Sequence, residues 1–163
     1  MSHATLPPWA LLPLALALGF PSAMRADPII TEFLAANTKT NADNDGAFSD
    51  WIEVFNPDAT PANLAGWYLT DNAALKTKWQ FPAVTLPAGG YLIVASNPAA
   101  FRLRYPAFTG ALHGPWTGNL SNGGELIRLL SSTLAPLFTM TWDDGWAAAT
   151  DGGGATLAVF NPV

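Results

Sequence analysis

Beyond residue 27 the apolar residues of this chain come in short runs, each closed by proline, glycine or an Asn/Asp pair. Runs of four to seven residues are too short for an ordinary helix but match the length of β-strands. The first, residues 29–35, starts directly after Pro28, a residue tolerated where a strand begins. In residues 50–56, Ile52 and Val54 share one face while Trp51, Glu53 and Phe55 share the other. Residues 67–70 and 78–81 are short and aromatic, and the second alternates strictly between polar and aromatic side chains. Residues 91–95 are apolar throughout, which predicts burial on both faces and a place at the centre of a sheet. Further strands are expected at 126–130 and 137–142, joined through Ser131-Ser132-Thr133, and at 156–160. The Asn122-Gly123 pair invites a tight turn before the first of these. One helical signal stands out: Asn97 is a suitable N-cap, Pro98 suits the first helical position, and one or two turns can follow to Tyr105. Seven or eight strands without alternating helices predict an all-β sandwich or barrel.

Residues 1–26 read differently. Trp9 to Phe20 form an apolar run followed by small residues, too short to span a bilayer, as in a cleavable secretory signal. Two prolines precede the run and Pro13 interrupts it, which argues against a core helix. Cleavage after Ala23 or Ala26 leaves one domain at residues 27–163, without a membrane span. That domain carries six basic and twelve acidic residues, a formal charge of −6, which disfavours nucleic acid as a partner. The chain has no cysteine, so disulfides and thiolate chemistry are excluded, and the fold has to rest on packing. Six tryptophans beyond the leader supply large buried areas for that purpose.

Ile30-Thr31-Glu32-Phe33, Ser49-Asp50-Trp51-Ile52-Glu53-Val54-Phe55-Asn56-Pro57 and Asn63-Leu64-Ala65-Gly66-Trp67-Tyr68-Leu69-Thr70-Asp71 follow one another in an order that resembles the lamin tail domain in its bacterial, exported form. The likeness continues through Trp79-Gln80-Phe81, the Leu86-Pro87-Ala88-Gly89-Gly90-Tyr91 turn, residues 121–129 and residues 154–162. The resemblance implies an immunoglobulin-like β-sandwich of about seven to nine strands, lacking the inter-sheet disulfide. It also implies an interaction module; bacterial domains of this kind are often accessory to kinases, nucleases or phosphoesterases. The expected function is a non-catalytic binding or adhesion module of the cell envelope or extracellular space, holding protein or polysaccharide through loops or a sheet edge. The alternatives are an accessory targeting domain of a longer secreted hydrolase or kinase-like protein, and a carbohydrate-binding module.

Candidate sites are few. Asn41, Asp43 and Asp45 place oxygens at alternate positions before Gly46, the spacing with which a Ca²⁺ loop begins, and Asp50 follows nearby. The twelfth position from Asn41 is Ile52 where such a loop needs a bidentate glutamate, so a solvated turn with local Asn and Asp hydrogen bonds is the competing reading. Asp143-Asp144-Gly145 and the 151–154 segment raise the same pair of readings. Glu32, Asp50 and Glu53 are not expected to form a glycosidase pair; Glu32 and Asp50 are expected as partners of backbone or basic groups at strand ends. His113 is the one histidine beyond the leader and is expected in a loop. No serine stands in a nucleophile elbow and no phosphate loop is present, so no catalytic residue is assigned. Trp51, Trp67 and Trp79 lie in strands and are expected to pack. Trp116, Trp142 and Trp146 sit in or beside glycine-rich loops; core packing is the favoured reading, and exposed rings at Trp116 and Trp146 that stack on a sugar or anchor a partner are the alternative. Protein recovered from the medium is expected to be lighter than the 163-residue chain by its first 23 or 26 residues. An intact-mass measurement returning the unshortened chain would remove the export reading.

Overall fold

The computed structural model describes residues 26–35, 49–118, 120–121, 123–143, 145 and 155–159. In chain order these form β1 (Ile29–Leu34), β2 (Trp51–Phe55), β3 (Ala62–Asn63), β4 (Tyr68–Thr70), β5 (Trp79–Gln80), β6 (Thr85–Leu86), β7 (Tyr91–Ala95), α1 (Pro98–Arg104), β8 (Ala111–His113), β9 (Gly124–Leu130), β10 (Pro136–Asp143) and β11 (Leu157–Ala158). Two sheets hold nine of the strands described: one ordered β11-β1-β2-β7-β8, the other β10-β9-β4-β5. β3 and β6 make a separate two-stranded pair. This is the immunoglobulin-like β-sandwich that the sequence predicts.

The sheets pack because their strands alternate. Ile52 and Val54 of β2, Leu92 and Val94 of β7, and Ile30 and Phe33 of β1 have no measurable exposure. They meet Leu69, Ile127, Leu129 and Trp142 of the other sheet in one continuous core. The Phe33 and Trp142 rings lie 5.4 Å apart across the layers. Each such aliphatic or aromatic side chain contributes on the order of 1.5–3 kcal/mol when buried. In β1 the register shifts between Ile30 and Glu32. This bulge lets Ile30 and Phe33, three positions apart, face the same interior.

Residues 91–95 are buried as expected, from Leu92 to Ala95, but β2 rather than β7 is the central strand of its sheet. β7 is flanked instead by β8, which runs parallel to it. A parallel neighbour requires a crossover, since its start must return to the same end of the sheet, and α1 supplies it. Asn97 caps this helix by accepting the Ala100 N–H at 3.1 Å, with Pro98 in the first turn, as the sequence indicates. The Asn-Gly turn falls partly outside the described residues; Gly124 N–H donates to the Ser121 carbonyl at 3.2 Å. Gly124 adopts φ +95°, and a Cβ there would stand 2.3 Å from the Trp142 carbonyl oxygen.

One polar side chain ties the loops at one end of the sandwich. Asn56, fully buried, directs its Nδ2 at the carbonyls of Thr60 (2.9 Å), Leu86 (3.2 Å) and Pro87 (3.0 Å). Its Oδ1 accepts the Asp58 N–H at 3.1 Å. Without it, carbonyls at a buried loop junction lose their donor. Asn56→Ala is therefore expected to destabilise the protein by about 2–4 kcal/mol in urea denaturation. The exposed Asn63→Ala, which loses one local bond to Ala65 N–H, should cost about 1 kcal/mol or less.

Candidate binding groove

The face of the five-stranded sheet that turns away from the sandwich core is itself apolar where α1 covers it. Leu34, Trp51, Ile93, Ala95 and Phe101 form a second buried cluster, with Tyr105, Phe108 and Leu112 packed against it. The residues alternate with the main core on the same strands, so β2 and β7 bury both faces near this end. Phe101 is the anchor of α1. Its ring meets Trp51 edge-on at 6.1 Å, Phe108 edge-on at 5.4 Å and Tyr105 at 4.7 Å. The turn after the helix is closed by Phe108 N–H donating to the Tyr105 carbonyl at 3.0 Å. Gly110 makes the position of Phe108 possible, because a Cβ there would lie 2.6 Å from the Phe108 ring.

Between this helix-turn and the strands runs an open groove of about 470 Å³. Trp51, Glu53 and Ile93 line it from the strands, and Phe101, Pro106 and Phe108 from the helix and the turn after it. The Trp51 indole N–H is buried and has no hydrogen-bond partner among the described residues. Glu53 accepts the Thr31 hydroxyl at 2.6 Å. Burial pushes the Glu53 carboxyl above its ordinary range, the Thr31 bond opposes that, and the neighbouring Glu32 adds to it. One residue pair further along the same face, Phe55 and Tyr91 stack with centroids 4.4 Å apart, and Tyr91 is half exposed.

The residues singled out from sequence are distributed otherwise. Asn41, Asp43, Asp45 and Trp146 lie outside the described residues. Asp50 is buried, and its Oδ2 accepts the Leu120 N–H at 2.6 Å, the backbone role expected of it. Among the described residues no group of three or more His, Asp or Glu side chains is arranged to hold a metal ion. Trp116 is a core residue at 3% exposure, so its ring face is not offered to a sugar or partner. Lys78 lies 5.4 Å from its ring centroid while pairing with Asp71. His113 belongs to β8, opposite Val94, and not to a loop; burial lowers its pKa.

The sandwich layers, the strand order and the placing of the Asp50-Trp51-Ile52-Glu53 run at its central strand can be set against known families. A family profile described as Lamin Tail Domain matches residues 21–155. The chain belongs to the lamin tail domain family. Among curated proteins none matches it. The lamin tail domain is an immunoglobulin-like, non-enzymatic fold family, which agrees with the nature of the site: an aromatic groove with one carboxyl in its lining. Sequence reasoning sought that site in the glycine-rich loops and missed it. The available signal was Trp51, Glu53 and Phe55 on one face of a strand, together with four aromatic or proline residues from Phe101 to Phe108.

In this lamin tail domain Asp50 makes stability depend on pH. Burial raises its pKa from 3.8 to about 7, the Leu120 N–H partly offsets this, and Glu125 raises it further. Glu125 itself is pushed up by burial, against the Ser121 N–H it accepts. A carboxyl with a raised folded-state pKa binds its proton more tightly in the fold than in the unfolded chain, so stability rises as pH falls from about 7 toward 4. The melting temperature is accordingly expected to climb by several degrees between pH 8 and pH 5. Asp50→Asn keeps an acceptor for Leu120 and should flatten that slope, with its melt at pH 8 at or above that of the unaltered chain. A melting temperature that falls steadily over the same interval would contradict the assignment.

Proposed function

We propose that this lamin tail domain is a non-catalytic binding module that acts outside the cytoplasm, at the cell envelope or in the extracellular space, and that the groove beside α1 is where it holds its partner. The observation that carries this reading is the groove itself. Ligand sites are typically concave and mostly apolar with a few placed polar groups, and here Trp51, Phe101 and Phe108 surround Glu53. The apolar run of residues 9–20 supports export, and residues 27–163 are taken as the working domain. No helix among the described residues is long and apolar enough to cross a membrane. A sheet edge offers a further route for a partner strand, since among the described residues β8 and β10 have a neighbour on one side only.

Phe108 is the residue to test, because it lines the groove from a turn and makes no contact with the inter-sheet core cluster. The full chain, fluorescently labelled and added to intact cells of the organism that makes it, is expected to stay on the envelope fraction after washing. Phe108→Ala should lose most of that retention while its thermal melt stays well above the assay temperature. Equal retention of the two proteins would overturn the assignment of the groove. Turnover of an envelope polymer by the purified chain would overturn the non-catalytic reading.

A further inference from the structure

Beside the groove lies negative charge that no cation among the described residues pairs with. Glu32 and Glu53 stand directly opposite each other in the β1–β2 register. Both are half-buried and both face outward, since Phe33, Ile52 and Val54 beside them point into the core. Like charges in that position destabilise an antiparallel pair. The hydrogen-bond partner of Glu53 is the neutral Thr31 hydroxyl, and the Lys78 ammonium is committed to Asp71. Arg104 borders the groove but is already engaged within the fold and lies 5.9 Å from the Tyr105 ring centroid. Among the described residues neither carboxylate forms an ion pair, and the face is otherwise lined by Ile93, Phe108 and the Phe55–Tyr91 stack.

Resting on the groove as the binding site, we propose that its partner is a protein that inserts a lysine or arginine beside Glu32 and Glu53 and an adjacent apolar side chain into the groove. A cation there removes the repulsion between the carboxylates, and its methylene stem lies along apolar surface while its charged head meets them. The chain's net charge of −5 draws a basic partner toward this face. A polysaccharide fits less well, because the apolar lining would leave most sugar hydroxyls without partners.

Fluorescence anisotropy with labelled hexapeptides and the purified full chain tests this. The probes are Gly-Leu-Lys-Phe-Lys-Gly, the same peptide with glutamate for both lysines, and Gly-Ser-Lys-Ser-Lys-Gly. The first is expected to bind saturably at pH 7.5, and the acidic and the purely charged peptides at least roughly tenfold more weakly. Glu32→Gln combined with Glu53→Gln should weaken the first peptide by a similar factor, while Asp27→Asn, an exposed carboxyl outside the groove, should not. The double variant is also expected to melt at or above the unaltered chain, since it loses the repulsion and the burial of a charge while the amide oxygen introduced at position 53 can still accept the Thr31 hydroxyl; this separates lost binding from lost folding. Absence of binding, equal binding of the acidic peptide, or indifference to the double variant would overturn the proposal. If envelope retention persists and remains sensitive to Phe108→Ala in that case, only the chemistry of the partner falls and the groove stands.

Discussion

Burial of both faces of β2 and β7 is the constraint on which the remainder of the structure depends. Ile52, Val54, Leu92 and Val94 point into the sandwich, while Trp51, Ile93 and Ala95 point away from it and are buried as well. The opposite sheet covers only the first set. The second needs another layer, and α1 with the turn after it is that layer. Its seven residues are too few to cover the whole face, so coverage stops at Phe108 and the groove begins there. Site and fold thus share one cause: a sheet that is apolar on two sides and a helix too short to close one of them.

Polar groups are admitted to this interior only with partners. Asn56 satisfies the carbonyls of Thr60, Leu86 and Pro87, and Asp50 receives the Leu120 N–H while its own carbonyl accepts from Ser96. The difference between them is charge. An amide at Asn56 costs little once hydrogen-bonded, whereas a carboxylate at Asp50 remains poorly solvated with one donor and Glu125 nearby. The same physics acts at Glu53, but on an open surface where an incoming cation can change the balance. A buried acid at the sandwich end tunes stability; a half-buried acid beside a groove is available to recognition.

Much of the fold was legible in residue patterns. Alternation in residues 50–56, the apolar run at 91–95 and the Asn97-Pro98 cap each state a local conformation, because side-chain period and capping chemistry are local properties. Where the reading differed, the reason was non-local. His113 sits in a strand since Leu92 and Val94 offer a free edge after the α1 crossover, a circumstance that nothing near residue 113 announces. Trp116 lies in an irregular segment beside glycines and is still in the core. Gly118 lets the chain pass the ring so closely that a Cβ would stand 2.5 Å from it, so the glycine there serves burial.

The amino-acid sequence by itself determined the two-layer β architecture, the lamin tail family, the reliance on packing without disulfides and the short capped helix, all of which follow from periodicity, composition and contiguous motifs. Only the tertiary structure decided which aromatic side chains line the groove. Trp51, Glu53, Ile93, Phe101 and Phe108 are separated by as many as 57 positions and come together because β2 pairs with β7 and the crossover folds back over them. Exposure is a property of what lies on the other side of a side chain, and strand order, which sets that, is encoded in contacts between distant segments and not in any one of them.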